Sequence, residues 1–144
     1  MDFGAGPKAL HTAMLRKKGF KRVSSHEIWL HFNPEIHDRR AVKKKYDIVM
    51  ASNVLNVQGA IPEVVSVILQ LAWLTRLDGC MICNLPKAPL YPRYLTPAYM
   101  AQCLLLGFNT VTTLGKKHAK RNHVWLCTEP MRCMGTPRGV DHNT

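Results

Sequence analysis

The segment that decides the fold is Tyr46–Val57, which reads YDIVMASNVLNV. Its first part, Tyr46–Ser52, is a short and mostly apolar run, and such a run predicts a strand buried inside a sheet. Ile61–Trp73 follows with apolar residues at helical spacing, which predicts an amphipathic helix that begins near Pro62. A buried strand followed by such a helix is typical of an α/β fold.

The same alternation of strand and helix continues on both sides of this segment. Upstream, the sequence predicts a helix over Ala9–Lys18, a strand over Phe20–His26 and an irregular segment over Glu27–Lys45. Downstream, it predicts a turn at Asp78-Gly79, a strand over Cys80–Asn84, a helix from Thr96 to Gly107, strands over Phe108–Leu114 and His123–Cys127, and a basic loop, Gly115–Asn122, between them. We expect residues 1–128 to form one domain and residues 129–144 a flexible tail.

Composition limits the class of protein. The chain has 144 residues, of which 47% are hydrophobic and 20% charged, so disorder of the whole chain is excluded. No apolar run is long enough to cross a bilayer, and the N-terminus lacks the features of a signal peptide. Five cysteines, an odd number, favour reduced thiols over a disulfide framework, and we expect a cytoplasmic protein.

A formal net charge of +11 favours a polyanionic partner such as nucleic acid. Fourteen of the 20 Lys and Arg residues fall into three clusters, which suit a phosphate-backbone surface. The alternative interpretation of these clusters is a solvated surface. The clusters are Arg16-Lys17-Lys18 with Lys21-Arg22, Arg39-Arg40 with Lys43–Lys45, and Lys116-Lys117 with Lys120-Arg121.

A glycine-rich turn, Asp2-Phe3-Gly4-Ala5-Gly6, precedes the first helix. Glycines in such a turn allow a tight backbone path and the close approach of a ligand, as in nucleotide-binding α/β units. Glu27 ends the second predicted strand, where a ribose-binding carboxylate is expected in such a unit. A solvated loop carboxylate is the alternative for Glu27.

These motifs together resemble class I S-adenosylmethionine-dependent methyltransferases, and most closely the small methyltransferase-like proteins carried by phages. DFGAG at residues 2–6 is similar to the first motif of that family, and YDIVMASNVLNV to its fourth strand and the following loop. Leu77-Asp78-Gly79 is similar to the turn before its fifth strand. The resemblance implies a three-layer Rossmann-like sandwich that binds S-adenosylmethionine.

The resemblance also implies roles for particular residues. Gly4 and Gly6 lie against the cofactor, Asp2 supports their loop, and Glu27 holds the ribose hydroxyls. Asp38 is a weaker candidate for the acid that contacts adenine. Ser52 and Asn53 contact the cofactor at its methyl group, and Asn53 and Asn56 are the candidate catalytic residues; the alternative for both asparagines is that they cap the turn through backbone hydrogen bonds.

The chain also departs from the family's pattern. The first strand is a stub at Asp2, with no preceding helix, and no third strand is evident between Glu27 and Lys45, so the sequence predicts an N-terminally truncated version of the fold. Such a truncation would leave apolar surface exposed near Phe3, Val23, Ile48 and Met50. Because large exposed apolar patches usually mark interfaces, this surface predicts a homo-oligomer.

The predicted function is methyl transfer from S-adenosylmethionine to an undetermined acceptor, with nucleic acid as one candidate. The alternatives are a phage enzyme that degrades S-adenosylmethionine by hydrolysis or lyase chemistry, and a non-catalytic module that binds nucleic acid or protein. No metal site is expected, because Cys80 and Cys83 lie three residues apart on a predicted strand and therefore point to opposite faces.

Overall fold

A computed structural model of the protein describes residues 1–27, 31–86, 95–115 and 122–132, with only the backbone at position 122. The described part contains one six-stranded sheet and three α-helices. In chain order the elements are β1 (Asp2–Phe3), α1 (Leu10–Lys17), β2 (Ser25–His26), β3 (Tyr46–Ala51), α2 (Ile61–Leu74), β4 (Thr75–Pro86), α3 (Pro97–Leu104), β5 (Phe108–Leu114) and β6 (Asn122–Pro130), with short 3₁₀ helices at Arg39–Lys43 and Leu55–Val57.

The strand order is β2-β1-β3-β4-β6-β5. The first four strands in this order are parallel, and β6 runs antiparallel to both of its neighbours. The β1-α1-β2 and β3-α2-β4 connections run in opposite directions along the sheet. Because such crossovers are right-handed, α1 lies on one face of the sheet and α2 on the other. This arrangement confirms the predicted Rossmann-like α/β sandwich, and it gathers the carboxyl ends of β1 to β4 at one edge.

The main core lies between the sheet and α2 with α3. One face of each central strand is buried there, as Val49, Met81 and Cys127 illustrate in one cross-strand row. Gly107 lies against α2, and a Cβ at this position would stand 3.0 Å from Ile68 Cγ2. Glycine at the end of the α3 segment therefore permits close packing of the two layers.

The predicted turn at Asp78-Gly79 is wrong, because these residues lie inside β4. Tyr46 pairs with Thr75 and Ile48 pairs with Cys80, so β4 advances five residues while β3 advances two. The extra residues form an irregularity in the strand. A Cβ on Gly79 would stand 2.6 Å from the carbonyl oxygen of Asp47, and only glycine allows the two backbones to approach this closely.

The predicted strand over Phe20–His26 shrinks to Ser25–His26. Among the described strands, β2 has only β1 as its neighbour, and β1 is a two-residue stub, as expected. Most of the residues ahead of Ser25 have no strand to pair with, and Phe20 is 56% exposed. A short partner strand therefore overrides the local β propensity.

The segment after β2 contains no strand among its described residues, as the sequence predicted. Its backbone still touches the sheet edge, since the Asp38 N–H donates to the Ser25 carbonyl at 2.8 Å. At the other end of the chain, β6 continues through Pro130, two residues beyond the predicted domain boundary. The rest of the predicted tail, from residue 133, lies outside the described residues.

The face of the sheet opposite α2 is partly open. Ile48 is 52% exposed, and Met50 and Val23 are half-buried, in line with the prediction of bare apolar surface. The prediction is wrong for Phe3, which is 4% exposed and packs its ring 5.6 Å from that of His26. Within the described part of the chain, no helix is long and apolar enough to cross a membrane.

Candidate functional site

The loop after β1 adopts the conformation that its glycines permit. Gly4 and Gly6 have φ angles of 67° and 71°, in the left-handed region. A Cβ on Gly4 would stand 2.5 Å from Val54 Cγ2, so this glycine lets the β1 loop pack against the β3 loop. A Cβ on Gly6 would meet no atom of the described residues within 4 Å. The space beside Gly6 is therefore open to a ligand.

Glu27 reaches this loop from the carboxyl end of β2. Its Oε2 accepts a hydrogen bond from the Gly6 N–H, and the residue is 7% exposed. The structure thus brings together two of the predicted cofactor-binding residues, which are 21 positions apart in the chain. A buried carboxylate fixed to the loop backbone differs from the solvated loop acid that was the alternative for Glu27.

His37 is a site residue that sequence reasoning missed. Its Nδ1 lies 2.9 Å from the backbone nitrogen of Asn33 and accepts that N–H, so the ring proton of the neutral imidazole is assigned to Nε2. Nε2 lies 2.9 Å from the Gly6 carbonyl oxygen and donates to it. The Gly6 peptide is therefore held on both sides, by Glu27 at its N–H and by His37 at its carbonyl.

A cavity of about 160 Å³ lies next to Glu27 and is lined by His26, Glu27, Phe32 and Arg39. The Arg39 guanidinium carbon stands 4.7 Å from the centroid of the Phe32 ring, a cation–π contact that gives the cavity a flat wall. Burial lowers the pKa of His26, so its imidazole is neutral at neutral pH. The cavity combines aromatic, cationic and carboxylate groups at the carboxyl edge of the sheet.

The loop after β3 supplies Ser52, Asn53 and Asn56. Asn53 has a φ of 56°, and its backbone N–H donates to Asn84 Oδ1 at 2.7 Å. This bond fixes the orientation of the Asn84 amide, whose Nδ2 then donates to Asn53 Oδ1 at 2.9 Å. The side-chain carbonyl of Asn53 therefore already accepts a hydrogen bond, and its side-chain amide nitrogen is the group that can donate to a ligand. Ser52, beside it, is half-buried.

Asn56 differs from the turn-capping alternative. It is 4% exposed, and its Oδ1 has no hydrogen-bond partner in the described part of the chain. A buried carbonyl oxygen without a partner is costly unless a bound water or ligand supplies a donor. Asn84, near the carboxyl end of β4, is a second site residue that sequence reasoning missed, because no short-range signal marks its contact with Asn53.

The two predicted aspartates have local structural partners. Asp2 is 1% exposed, and its Oδ2 accepts from both the backbone and the hydroxyl of Thr12, at 3.1 and 2.8 Å. Asp2 thus ties β1 to α1. Asp38 caps the first 3₁₀ helix by accepting from the Arg40 N–H at 2.8 Å, and it forms an ion pair with Lys44 at 3.6 Å.

Cys80 and Cys83, the two cysteines considered as metal ligands, lie on β4 as their spacing predicted. Cys83 is buried and Cys80 is half-buried on opposite faces of β4, and no group of three metal-ligating side chains occurs within the described ranges. A hydrogen bond with Cys127 and burial raise the pKa of the Cys83 thiol well above its usual range. Cys133 lies outside the described residues.

No protein-family model and no curated protein sequence matches this chain. Solved structures do match. An O-methyltransferase family protein from Burkholderia thailandensis has a TM-score of 0.60 at 13% identity, with 89% of this chain and 49% of that chain covered. A TehB-like SAM-dependent methyltransferase from Corynebacterium glutamicum has a TM-score of 0.61 at 12% identity, with coverage of 89% and 78%.

Human N-acetylserotonin methyltransferase, in complex with SAM, has a TM-score of 0.59 at 16% identity, with 90% of this chain and 47% of that chain covered. This chain therefore spans about half the length of the Burkholderia and human proteins. At these identities the likeness is one of fold, and the fold is the Rossmann-like fold of class I methyltransferases.

Proposed function

We propose that the protein is an S-adenosylmethionine-dependent methyltransferase with the cofactor bound at the carboxyl edge of β1 to β4. One observation carries the proposal: the Gly6 peptide, the Glu27 carboxylate and the β3 loop converge at this edge, in a fold shared with methyltransferases. Ligands of open α/β sheets bind at the carboxyl ends of the strands, which supports this placement.

The groups present fit such a cofactor. The open space beside Gly6 suits the amino-acid end, and the Glu27 carboxylate at the end of β2 suits the ribose hydroxyls. The cavity with Phe32 and Arg39 suits a flat heteroaromatic ring. Asn56 Oδ1, buried without a partner among the described residues, suits a ligand that brings a hydrogen-bond donor.

The sulfonium group of bound S-adenosylmethionine supplies the electrophilic methyl group, so the chain's own contribution is positioning and exclusion of water. The Asn53 amide nitrogen, left available by the pairing with Asn84, donates to a methyl acceptor and orients it. Gly4 and Gly6 keep the loop backbone close to the site, and Ser52 lines it from the end of β3.

Calorimetric titration with S-adenosylmethionine and S-adenosylhomocysteine tests the proposal. We expect binding by the wild type and a loss of at least tenfold in affinity, about 1.4 kcal/mol, for Glu27→Ala. Glu35→Ala is the control, because Glu35 is an exposed carboxylate of the same region and its backbone N–H only completes the Asn33 turn. A wild type that binds neither compound contradicts the proposal.

Product analysis then separates the three functions. S-adenosylhomocysteine formed only in the presence of an acceptor supports transfer, and methylthioadenosine supports the degrading enzyme. Binding without turnover supports the non-catalytic module.

We also infer three finer properties. The SNVLNV segment supports a relationship to small phage-encoded methyltransferase-like proteins, and the free thiols support a cytoplasmic location. The open sheet face, with Ile48 at 52% exposure, supports a homo-oligomer. Light scattering at micromolar concentration tests the oligomer, and a monodisperse mass near the 16.3 kDa of one chain contradicts it.

A further inference from the structure

We propose that the amino-terminal edge of the parallel strands is a nucleic-acid-binding surface, separate from the carboxyl edge that holds the candidate site. Two connections enter strands at this edge: residues 16–24 lead into β2, and residues 39–45 lead into β3. Together they carry the amino-edge cluster of eight exposed cations, which are Arg16, Lys17, Lys18, Lys21, Arg22, Lys43, Lys44 and Lys45. This proposal goes beyond methyl transfer and does not depend on it.

Sheet topology brings the two halves of the cluster together. β2 and β3 both pair with β1, in a register that places Asp2 beside Ser25 and Met50. The two strands are therefore two interstrand spacings apart, roughly 10 Å laterally. Lys21 and Tyr46 each lie four residues before the residue that pairs with Asp2, so the cations that precede them on the two segments lie toward the same edge. Two rows of flexible cations at this separation can contact successive phosphates on one nucleic-acid backbone, or phosphates on both sides of a groove.

The cluster is poorly neutralised within the protein. In the described ranges its one ion pair is Lys44 with Asp38, at 3.6 Å. Arg16 and Lys45 donate to backbone carbonyls, of Val23 and Trp73, and keep their charge. The other five cations have no carboxylate within 4 Å in the same ranges. Their mutual repulsion in the free protein is relieved when a polyanion binds.

The neighbouring apolar residues favour nucleic acid over a membrane surface. Membrane association needs apolar side chains in the same plane as the cations. Within residues 16–24 and 39–45, Phe20 is the one exposed large apolar side chain, at 56%. Leu10 and Met14 precede the cluster on α1, whose last residues, Arg16 and Lys17, reach this edge. One exposed aromatic ring among phosphate-binding cations suits stacking on a base.

The cluster and the candidate site lie at opposite ends of the same strands. β3 has six residues, so its ends are roughly 20 Å apart. Phosphates held at the amino edge are thus about a strand length from Gly6 and Asn53. Contacts at this edge tether the protein to nucleic acid without placing the contacted nucleotides at the candidate site.

Fluorescence anisotropy with a labelled 20-nucleotide single strand of mixed sequence tests the proposal, over a range of salt concentrations. The test variant is K18Q/K21Q/R22Q. The matched control is K116Q/K117Q/K120Q, which removes the same charge from the segment joining β5 to β6, whose flanking strand ends lie at the carboxyl edge. We expect the test variant to lose about tenfold or more in affinity at low salt, and its log–log salt slope to fall by about two units.

The control is expected to bind within about threefold of the wild type. Four outcomes overturn the proposal: no binding by the wild type at low salt, equal losses in both variants, a loss confined to the control, or binding to phosphatidylserine vesicles but not to the oligonucleotide. Circular dichroism and the denaturation midpoint of each variant separate loss of contact from loss of folding. The result is independent of whether S-adenosylhomocysteine binds.

Discussion

The Gly6→Ala variant distinguishes a ligand-binding role of Gly6 from an effect of backbone strain, because Gly19 provides a matched control. Gly6 and Gly19 have φ angles of 71° and 96°, and a Cβ at either position would meet no atom within 4 Å in the part of the chain that the structure describes. Alanine in the left-handed region costs roughly 1 kcal/mol relative to glycine. Both Gly6→Ala and Gly19→Ala should therefore lower the free energy of unfolding by a similar amount.

Only Gly6→Ala should also weaken cofactor binding. The Gly6 peptide is fixed by Glu27 and His37, so the loop cannot withdraw, and the new methyl group occupies the space that a ligand needs. We expect the dissociation constant for S-adenosylhomocysteine to rise at least tenfold, about 1.4 kcal/mol, with no change for Gly19→Ala.

The assays are isothermal calorimetry for binding and urea denaturation for stability. Equal affinity in the wild type and Gly6→Ala would refute the placement of the cofactor beside this loop. Equal weakening in Gly19→Ala would show that strain acts through the whole fold.

Three further predictions concern the polar groups of the site. His37→Ala removes one hydrogen bond to the Gly6 carbonyl and should raise the S-adenosylhomocysteine dissociation constant about fivefold. His37→Gln keeps a donor and should restore most of the affinity. Equal affinities of the two variants would count against a positioning role. Burial lowers the pKa of His26 on folding, so the unfolded chain binds more protons than the folded chain as the pH falls through about 6.5. The wild type should therefore lose more stability between pH 7.5 and 5 than His26→Asn. Parallel pH profiles of the two proteins in urea denaturation would contradict this. Asn84→Ala should cost about 1 kcal/mol of stability and broaden the Asn53 amide signals in NMR spectra, and unchanged signals would contradict the paired amides.

The elements with strong local signals were predictable from the sequence. Thr96 caps α3 as expected, by accepting from the Tyr99 N–H at 3.2 Å, and α2 occupies Ile61–Leu74. The β3 strand was also placed within one residue at its end. These elements follow from apolar periodicity and capping, which are properties of neighbouring residues.

The errors and omissions involve partners distant in the chain. The length of β2 depends on β1, which the residues of β2 do not encode. The contact of His37 with Gly6 spans 31 positions, and that of Asn84 with Asn53 also spans 31. Gly79 resembles a turn glycine until the Asp47 carbonyl is seen to lie against it. A single sequence gives no local signal for any of these contacts.

The irregularity in β4 lies between two stretches that pair with β3 in different registers. The exit of α2 fixes Thr75 beside Tyr46, whereas the register from Ile48 with Cys80 to Ala51 with Cys83 sets the height of the carboxyl edge. Extra residues between these two stretches absorb a difference in length, so we expect a one-residue insertion or deletion at the end of α2 to leave Asn84 beside Asn53. The length of the helix is thereby decoupled from the geometry of the site, and the close backbone approach that this requires is confined to Gly79, where no side chain fits.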